Sequence, residues 1–320
     1  MGSAVPSKED VQKITEKSLC KSVQKIERFN TGNHHFVYDV ILEGGEKVVA
    51  RIAAAKEKKA LEGALFWSEF LKPKNVPLPE ILYSDLSCKK FTYPFVILQR
   101  LPGTDLGHIY NDLSVSQRKK IVLNLIDIQD CLADMPLGKG FGYVDVLNGV
   151  FPFESWESLI HSSIMRTEDR IAQDNYFGIK NIKVLRNMMQ NFSNYLSAVE
   201  PAAFLHDMTS KNVLIENGEL TGIVDVDSLC FGDPLYLPGL IQAAFIADNL
   251  PYDYIGYWKE ALNLTDEQSR IVDFYGAQCL CYIMGEIGLK LNKEEKTSPE
   301  TKELMRLKEA LSQLFEKLNS

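Results

Sequence analysis

Asp207, Asn212, Asp225 and Asp227 carry side-chain oxygens at intervals that invite a chemical reading. A polar loop holds Asp207 and Asn212 five residues apart and enters the apolar run Val213-Leu214-Ile215. Asn217-Gly218 then marks a two-residue hairpin turn, and the chain returns through Ile223-Val224 to the two acids. Strand side chains alternate between faces, so Asp225 and Asp227 are expected to point the same way, brought back beside Asn212 by the hairpin. Carboxylate and amide oxygens meeting at one spot suit a hard cation such as Mg2+. Asp207, upstream in the loop, is then available to face a substrate hydroxyl. Each residue alone would serve equally well as a turn or cap former, so the weight rests on their joint spacing.

That spacing resembles the kinase loop H-R-D-x-x-x-x-N and its following metal-binding Asp, where positioning and charge neutralisation do most of the work of phosphoryl transfer. With Gly232-Asp233-Pro234 downstream, residues 204–234 are similar to the catalytic segment of the aminoglycoside phosphotransferase and choline-kinase-related superfamily. The resemblance implies that Asp207 orients and deprotonates an acceptor hydroxyl and that Asn212 and Asp225 hold Mg2+. It leaves Asp227 as a second-metal candidate or a residue supporting the ligands. The segment departs from the family pattern at His206, which adjoins Asp207 where His-Gly-Asp is usual and so puts Leu205 in the usual His position. It departs again at Leu237, where an Asp often follows the Asp-Pro pair.

Elements that would position these groups can be read on either side of residue 100. Residues 22–29, 36–42 and 47–52 are short and rich in β-branched or aromatic side chains, with a hairpin signal at Glu43-Gly44-Gly45-Glu46. A helix over 58–71 ends at Lys72-Pro73, and further strands are expected near 80–83 and 95–99. Thr31-Gly32-Asn33-His34 resembles a short phosphate-covering loop, which makes Gly32 and Asn33 candidate nucleotide contacts. Arg51 occupies the third-strand position where kinases carry a phosphate-contacting Lys, and Glu62 in the next helix is its expected ion-pair partner. Residues 95–103 resemble the approach to the kinase hinge, which would set adenine against the backbone of Gln99 and Leu101. Leu101-Pro102-Gly103 reads as a connector.

Beyond it helices dominate. Ser114-x-x-Gln117 and Thr265-x-x-Gln268 read as capping boxes. Ser298-Pro299 opens a last helix with Leu304, Leu307, Leu311, Leu314 and Leu318 on one face, expected to pack on its own lobe rather than to form a dimer seam. Residues 274–289 are apolar but interrupted by Gln278 and Glu286, which predicts a buried helix rather than a membrane span.

The 320 residues are 45% hydrophobic and 24% charged, the balance of a globular protein, and carry a net charge of −8 with no dense basic block. A nucleic-acid backbone is therefore not an expected partner. Six cysteines without C-x-x-C spacing, and no signal peptide before them, fit a reducing cytoplasm. Met1-Gly2-Ser3 reads as a cloning scar or disordered end, because Pro6 stands where a myristoylation signal wants Ser or Thr. No zinc-ligand spacing joins His34, His35, His108 and His161. Asp248, Asp253 and Glu286 are weaker candidates to receive a cationic acceptor, and the Tyr252–Trp258 aromatics are expected to pack rather than to line a pocket.

The combined expectation is an α+β, bilobal, protein-kinase-like fold. Residues 1–100 would form an antiparallel-sheet nucleotide lobe with one main helix, and 101–320 a larger, mainly helical catalytic lobe. The implied activity is ATP- or GTP-dependent, Mg2+-dependent phosphorylation of a small-molecule hydroxyl, with aminoglycosides and other antibiotics among the candidate acceptors. The alternative is a catalytically inactive kinase-like module that binds nucleotide or a partner. The implied state is a monomer or weak dimer without membrane attachment.

Overall fold

The alternation of Phe36, Tyr38, Val40 and Leu42 with less buried residues is that of a strand packed hard on one face. In the computed structural model, which describes residues 5–29, 35–174, 176–287 and 300–319, this strand belongs to a five-stranded antiparallel sheet. The chain runs α1 (Lys8–Leu19), β1 (Val23–Arg28), β2 (Phe36–Leu42), β3 (Lys47–Ile52), α2 (Lys58–Leu71), β4 (Ile81–Asp85) and β5 (Phe95–Gln99), and the sheet order is β1-β2-β3-β5-β4. One sheet face buries Tyr38, Val40, Val48, Ala50 and Ile97 against Val11 and Ile14 of α1. Leu61 and Leu65 of α2 pack with Val96, Ile81 and Leu98 in a second cluster. The β2–β3 turn places Gly44 and Gly45 at φ 93° and 87°, a conformation open to glycine at little cost.

Helix α1 was not among the expected elements. Ser7 and Asp10 close a reciprocal capping box at its start, and the Tyr38 hydroxyl donates to the Pro6 carbonyl at 2.7 Å. Residues 1–4 lie outside the described residues.

Spatial clustering divides the chain into two compact units, and 221–228 fall with the first, alongside residues up to 102. Ile223 donates its N–H to the Pro77 carbonyl at 2.9 Å and the Thr221 hydroxyl donates to the Pro102 carbonyl at 2.7 Å. Gly222 lies close enough to this backbone that a Cβ would stand 2.7 Å from the Pro77 oxygen.

The second unit contains β6 (Thr104–Asp105), α3 (Leu106–Ile109), α4 (Val115–Asp130), β7 (Gly142–Tyr143), α5 (Trp156–Asp174), α6 (Lys180–Asn191), α7 (Ser193–Ala198), β8 (Ala202–Phe204) and β9 (Val213–Glu216). The chain passes into the first unit within β10 (Glu219–Ile223) and returns at β11 (Cys230–Gly232), α8 (Tyr236–Ala247), α9 (Asp253–Ala261), α10 (Asp266–Glu286) and α11 (Thr301–Asn319). Asn217 and Gly218, between β9 and β10, both take positive φ, 54° and 81°, as a two-residue type I′ turn requires. Both expected capping boxes form, at Ser114 on α4 and at Thr265 on α10.

Helix α10 is buried along most of its length, including Asp273 and Gln278, as the interrupted apolar run predicts. It packs against α8, α5 and α11. In α11, Leu307, Leu311, Leu314 and Leu318 are buried within the unit, and the Leu318 carbonyl accepts from Arg270 of α10 at 2.8 Å. Ser298 and Pro299 lie outside the described residues. Tyr254 and Trp258 are core residues while Tyr252 is exposed. No helix among the described residues is long and apolar enough to cross a membrane.

Candidate active site

In the second unit, the loop between β8 and β9 is fastened by side chains rather than by regular structure. Gln129 of α4 grips Leu205 twice: its Oε1 accepts the Leu205 N–H at 3.0 Å and its Nε2 donates to the Leu205 carbonyl at 2.6 Å. Two residues on, the Thr209 hydroxyl donates to Asp207 Oδ1 at 3.2 Å. Asn212 donates its backbone N–H to the Thr209 carbonyl at 3.0 Å and its Nδ2 to the Asp207 carbonyl at 3.0 Å. With Nδ2 so committed, the amide oxygen of Asn212 is turned away from that carbonyl, the orientation an oxygen ligand to a cation needs. Ser210 donates to Asp248 Oδ2 at 2.9 Å, and Lys211 pairs with Asp248 at 3.0 Å.

The departures from the family pattern have local reasons. Leu205, in the usual His position, is 3% exposed, a buried hydrophobic side chain. His206 packs edge-on against Tyr143, ring centroids 4.5 Å apart. Gly232-Asp233-Pro234 is a structural unit: a Cβ on Gly232 would stand 2.2 Å from the Trp156 ring. Asp233 accepts from the Tyr195 and Tyr275 hydroxyls, both at 2.8 Å, and from the Leu235 N–H at 2.9 Å. Burial pushes the Asp233 carboxyl above its ordinary pKa against the pull of those donors. Leu237, where the family often has Asp, is 1% exposed and belongs to the apolar interior.

In the first unit the chemistry gathers on Arg51. The expectation that β10 carries both acids on one strand face needs correction: the strand ends at Ile223, and Asp225 sits in the left-handed region at φ 66°. Irregular backbone with a left-handed Asp225, not strand alternation, brings the two carboxylates together on Arg51. Arg51 Nη1 donates to Asp227 Oδ1 at 2.5 Å, and Nη2 donates to Asp227 Oδ2 at 2.7 Å and to Asp225 Oδ1. His35 Nε2 lies 3.0 Å from Asp227 Oδ2. Burial works to lower the Arg51 pKa, but the charges of Asp225 and Asp227 outweigh it and leave the guanidinium raised. Burial likewise pushes Asp227 up, and Arg51 and His35 overcome it, holding its carboxyl at about 2.

Glu62 was expected to pair with Arg51, and it is instead paired with Lys58 one helical turn earlier, at 3.0 Å. The acids at 225 and 227 already engage both terminal nitrogens of Arg51. Gln99 is fixed to the neighbouring segment: its backbone N–H donates to the Glu80 carbonyl at 2.8 Å and its Oε1 accepts the Glu80 N–H at 3.3 Å. The Leu101 carbonyl accepts from Arg100 at 2.8 Å. Gly32 and Asn33 lie outside the described residues. Asp253 is engaged by Arg118, Tyr110 and Tyr257, and Glu286 by Arg170, so these acids, like Asp248, are already matched within the chain.

Sequence reading missed His35, Gln129 and Gly63. Gln129 carries no signal, since a polar residue in a helix ordinarily faces solvent. A Cβ on Gly63 of α2 would stand 2.1 Å from the Asp227 carbonyl oxygen, and nothing in the local helical pattern announces so close an approach.

Each unit holds an oxygen donor of the kind Mg2+ takes. Among the described residues no group of three or more His, Cys, Asp or Glu could hold a metal. Mg2+ is ordinarily held through one or two protein oxygens completed by phosphates and water, not by an all-protein cage. Asp225, 41% exposed and bound to Arg51 through Oδ1, and the Asn212 amide oxygen have the required character.

The Phosphotransferase enzyme family (APH) profile matches residues 25–236. No curated protein sequence matches the chain. Solved structures with the same fold include the GDP and kanamycin complex of APH(2'')-IIIa, 14% identical over 97% of this chain and 99% of that one, with a TM-score of 0.71. The apo form of a thermostable mutant of aminoglycoside phosphotransferase APH(4)-Ia is 16% identical over 96% and 98%, with a TM-score of 0.67. A ternary complex of a thermostable APH(4)-Ia mutant with AMP-PNP and hygromycin B is 16% identical over 96% and 98%, at 0.64. Identities this low speak to fold, and the profile match over most of the chain speaks to descent: the chain belongs to the phosphotransferase enzyme family, with the kinase-like fold of aminoglycoside phosphotransferases.

Proposed function

We propose that the chain transfers the γ-phosphoryl group of ATP or GTP, with Mg2+, to a hydroxyl group of a small molecule, aminoglycosides and other antibiotics being candidate acceptors. The reading is carried by the Asn212 Nδ2 hydrogen bond to the Asp207 carbonyl, which ties a metal-ligand oxygen and the base into one fastened loop. The acceptor oxygen bonds to the γ-phosphorus as the bond to the β–γ bridging oxygen breaks, and the hydroxyl proton passes to the Asp207 carboxylate. Asn212 and Asp225 would hold Mg2+, which neutralises charge on the phosphate oxygens. Arg51 supplies a fixed cation for the nucleotide phosphates. Gln99 and Leu101 are assigned to the base, and Gly32 and Asn33 to the phosphates. The AMP-PNP, hygromycin B, GDP and kanamycin complexes of proteins with this fold support the choice of nucleotides and acceptors.

The test is turnover of ATP and of GTP with Mg2+ across aminoglycosides, macrolides, choline-like amines and sugars, with Asp207→Ala as control. Phosphorylation of any acceptor that disappears in the variant supports the reading. Nucleotide binding without turnover across the panel favours instead an inactive kinase-like module, a reading motivated by the occupation of Asp225 by Arg51. The proposed setting is the cytoplasm, with which the six free cysteines agree, as a monomer or weak dimer.

A further inference from the structure

We propose that Asp227, backed by His35 and seated against Gly63, is the positioning residue for Arg51, taking the part expected of Glu62, and that it is not a metal ligand. The proposal rests on the phosphotransferase reading and refines it.

Three observations converge. The first is geometric: both terminal nitrogens of Arg51 meet the two oxygens of Asp227, at 2.5 and 2.7 Å, a parallel fork that fixes the guanidinium plane as well as its position. A lysine in this place needs a single anionic contact, whereas arginine is oriented only by a partner offering two oxygens.

The second is the difference between the two acids. Asp227 Oδ1 holds one guanidinium nitrogen, and Oδ2 holds the other together with His35 Nε2. The Asp227 side chain is 22% exposed and those of His35 and Arg51 are 5% and 8% exposed, so a cation taking Asp227 would have to dismantle a largely buried set of contacts. Asp225 touches Arg51 through Oδ1 and is nearly twice as exposed as Asp227, at 41%. Metal binding at Asp225 therefore exchanges one contact of Nη2 and leaves the Asp227 fork in place, with Arg51 aimed at phosphate.

The third is the backbone. Gly63 lies so close to the Asp227 carbonyl that no side chain fits there, so α2 supports Asp227 by direct backbone approach. The neighbouring Glu62 turns to Lys58. The helix that ordinarily sends a glutamate to the third-strand cation here seats the aspartate that replaces it.

The experiment measures ADP affinity by calorimetry on the full chain, with and without Mg2+, so that no acceptor is needed. Asp227→Asn is expected to weaken metal-free and Mg2+-bound ADP alike, by about tenfold, leaving the enhancement by Mg2+ unchanged. Asp225→Asn is expected to do the opposite, removing the enhancement while metal-free affinity changes little. Asp227→Glu should recover part of the loss. Selective loss of the Mg2+ enhancement in Asp227→Asn would make Asp227 a metal ligand and overturn the proposal, as would a Glu62→Gln variant losing as much affinity as Asp227→Asn. If Asp227→Asn fails to fold by thermal melting, His35→Gln keeps the carboxylate and removes its backing. It should weaken ADP about threefold with the same indifference to Mg2+, and an unchanged affinity there overturns the proposal. A wild-type chain that binds no nucleotide removes the phosphotransferase reading and this proposal with it, an outcome distinct from a variant-specific failure.

Discussion

Arg51, Asp225 and Asp227 are held to one another by opposite charges, whereas the loop that carries Asp207 and Asn212 is held mainly by hydrogen bonds: Asn212 and Thr209 to Asp207, and Gln129 to Leu205. Under the proposed activity the first arrangement exchanges at one point: Asp225, the more exposed acid, is open to an incoming cation while the Asp227 fork stays on Arg51. The second is fastened through backbone groups that an incoming ion would not take, at Leu205 and at the Asp207 carbonyl. Under the proposed activity this difference is useful, because a base must be in place before the substrate arrives while a phosphate-binding cluster must change partners when it does.

The sharpest way to separate the two regions is to remove the proposed base. Asp207→Asn is expected to lower kcat by about 10³-fold, on the scale of general-base catalysis, with ADP affinity and melting temperature near wild type. A variant retaining a tenth of wild-type kcat would dismiss Asp207 as base. The charged cluster should fail differently. Gly63→Ala drives a methyl group into the Asp227 carbonyl, a backbone atom that cannot step aside, and should cost about 3 kcal/mol of stability by urea titration while weakening ADP. Wild-type stability and affinity in that variant would mean that the seat beneath Asp227 is loose.

The fold was more legible than the attachments within it. Strands β2, β3 and β5 and helix α2 follow their expected bounds because their signals are local: alternation, Gly44-Gly45, Lys72-Pro73 and the capping boxes. Helix α1 was missed because its apolar face toward the sheet consists mainly of Val11 and Ile14, too few to make a period, although Ser7 and Asp10 carried a cap signal. Asp207, Asn212, Arg51, Asp225 and Asp227 could all be named from spacing. Their partners could not, since the contacts to Asp227 cross 192 positions from His35 and 176 from Arg51. Gln129 is equally silent, because only the fold reveals that 76 positions on lies the backbone it grips.

Acid should reach the charged cluster in a defined window. Asp227 has its folded pKa lowered from 3.8 to about 2, so it contributes stability that is present above pH 4 and is lost as pH falls through about 2. The stability gap between wild type and Asp227→Asn is therefore expected to shrink by about 2 kcal/mol between pH 5 and pH 2. A gap that stays constant over that range would mean that the ion pair adds nothing net, burial having cancelled the attraction.

Gln129→Glu makes the complementary test on the neutral loop, with the smallest expected effect. A carboxylate there keeps an acceptor for the Leu205 N–H but loses the donor to the Leu205 carbonyl, so stability should fall by about 1 kcal/mol at neutral pH. Protonation restores the missing donor, which favours the neutral acid in the folded state and raises the folded pKa of the introduced group above its unfolded value. The variant's stability relative to wild type should then improve as pH falls and worsen as pH rises through that folded pKa: the introduced group stabilises the fold when protonated, whereas Asp227 stabilises it when ionised. A Gln129→Glu variant whose stability relative to wild type instead improves as pH rises would show that the loop, too, favours a charged group, and the distinction between a fixed loop and an exchangeable cluster would have to be abandoned.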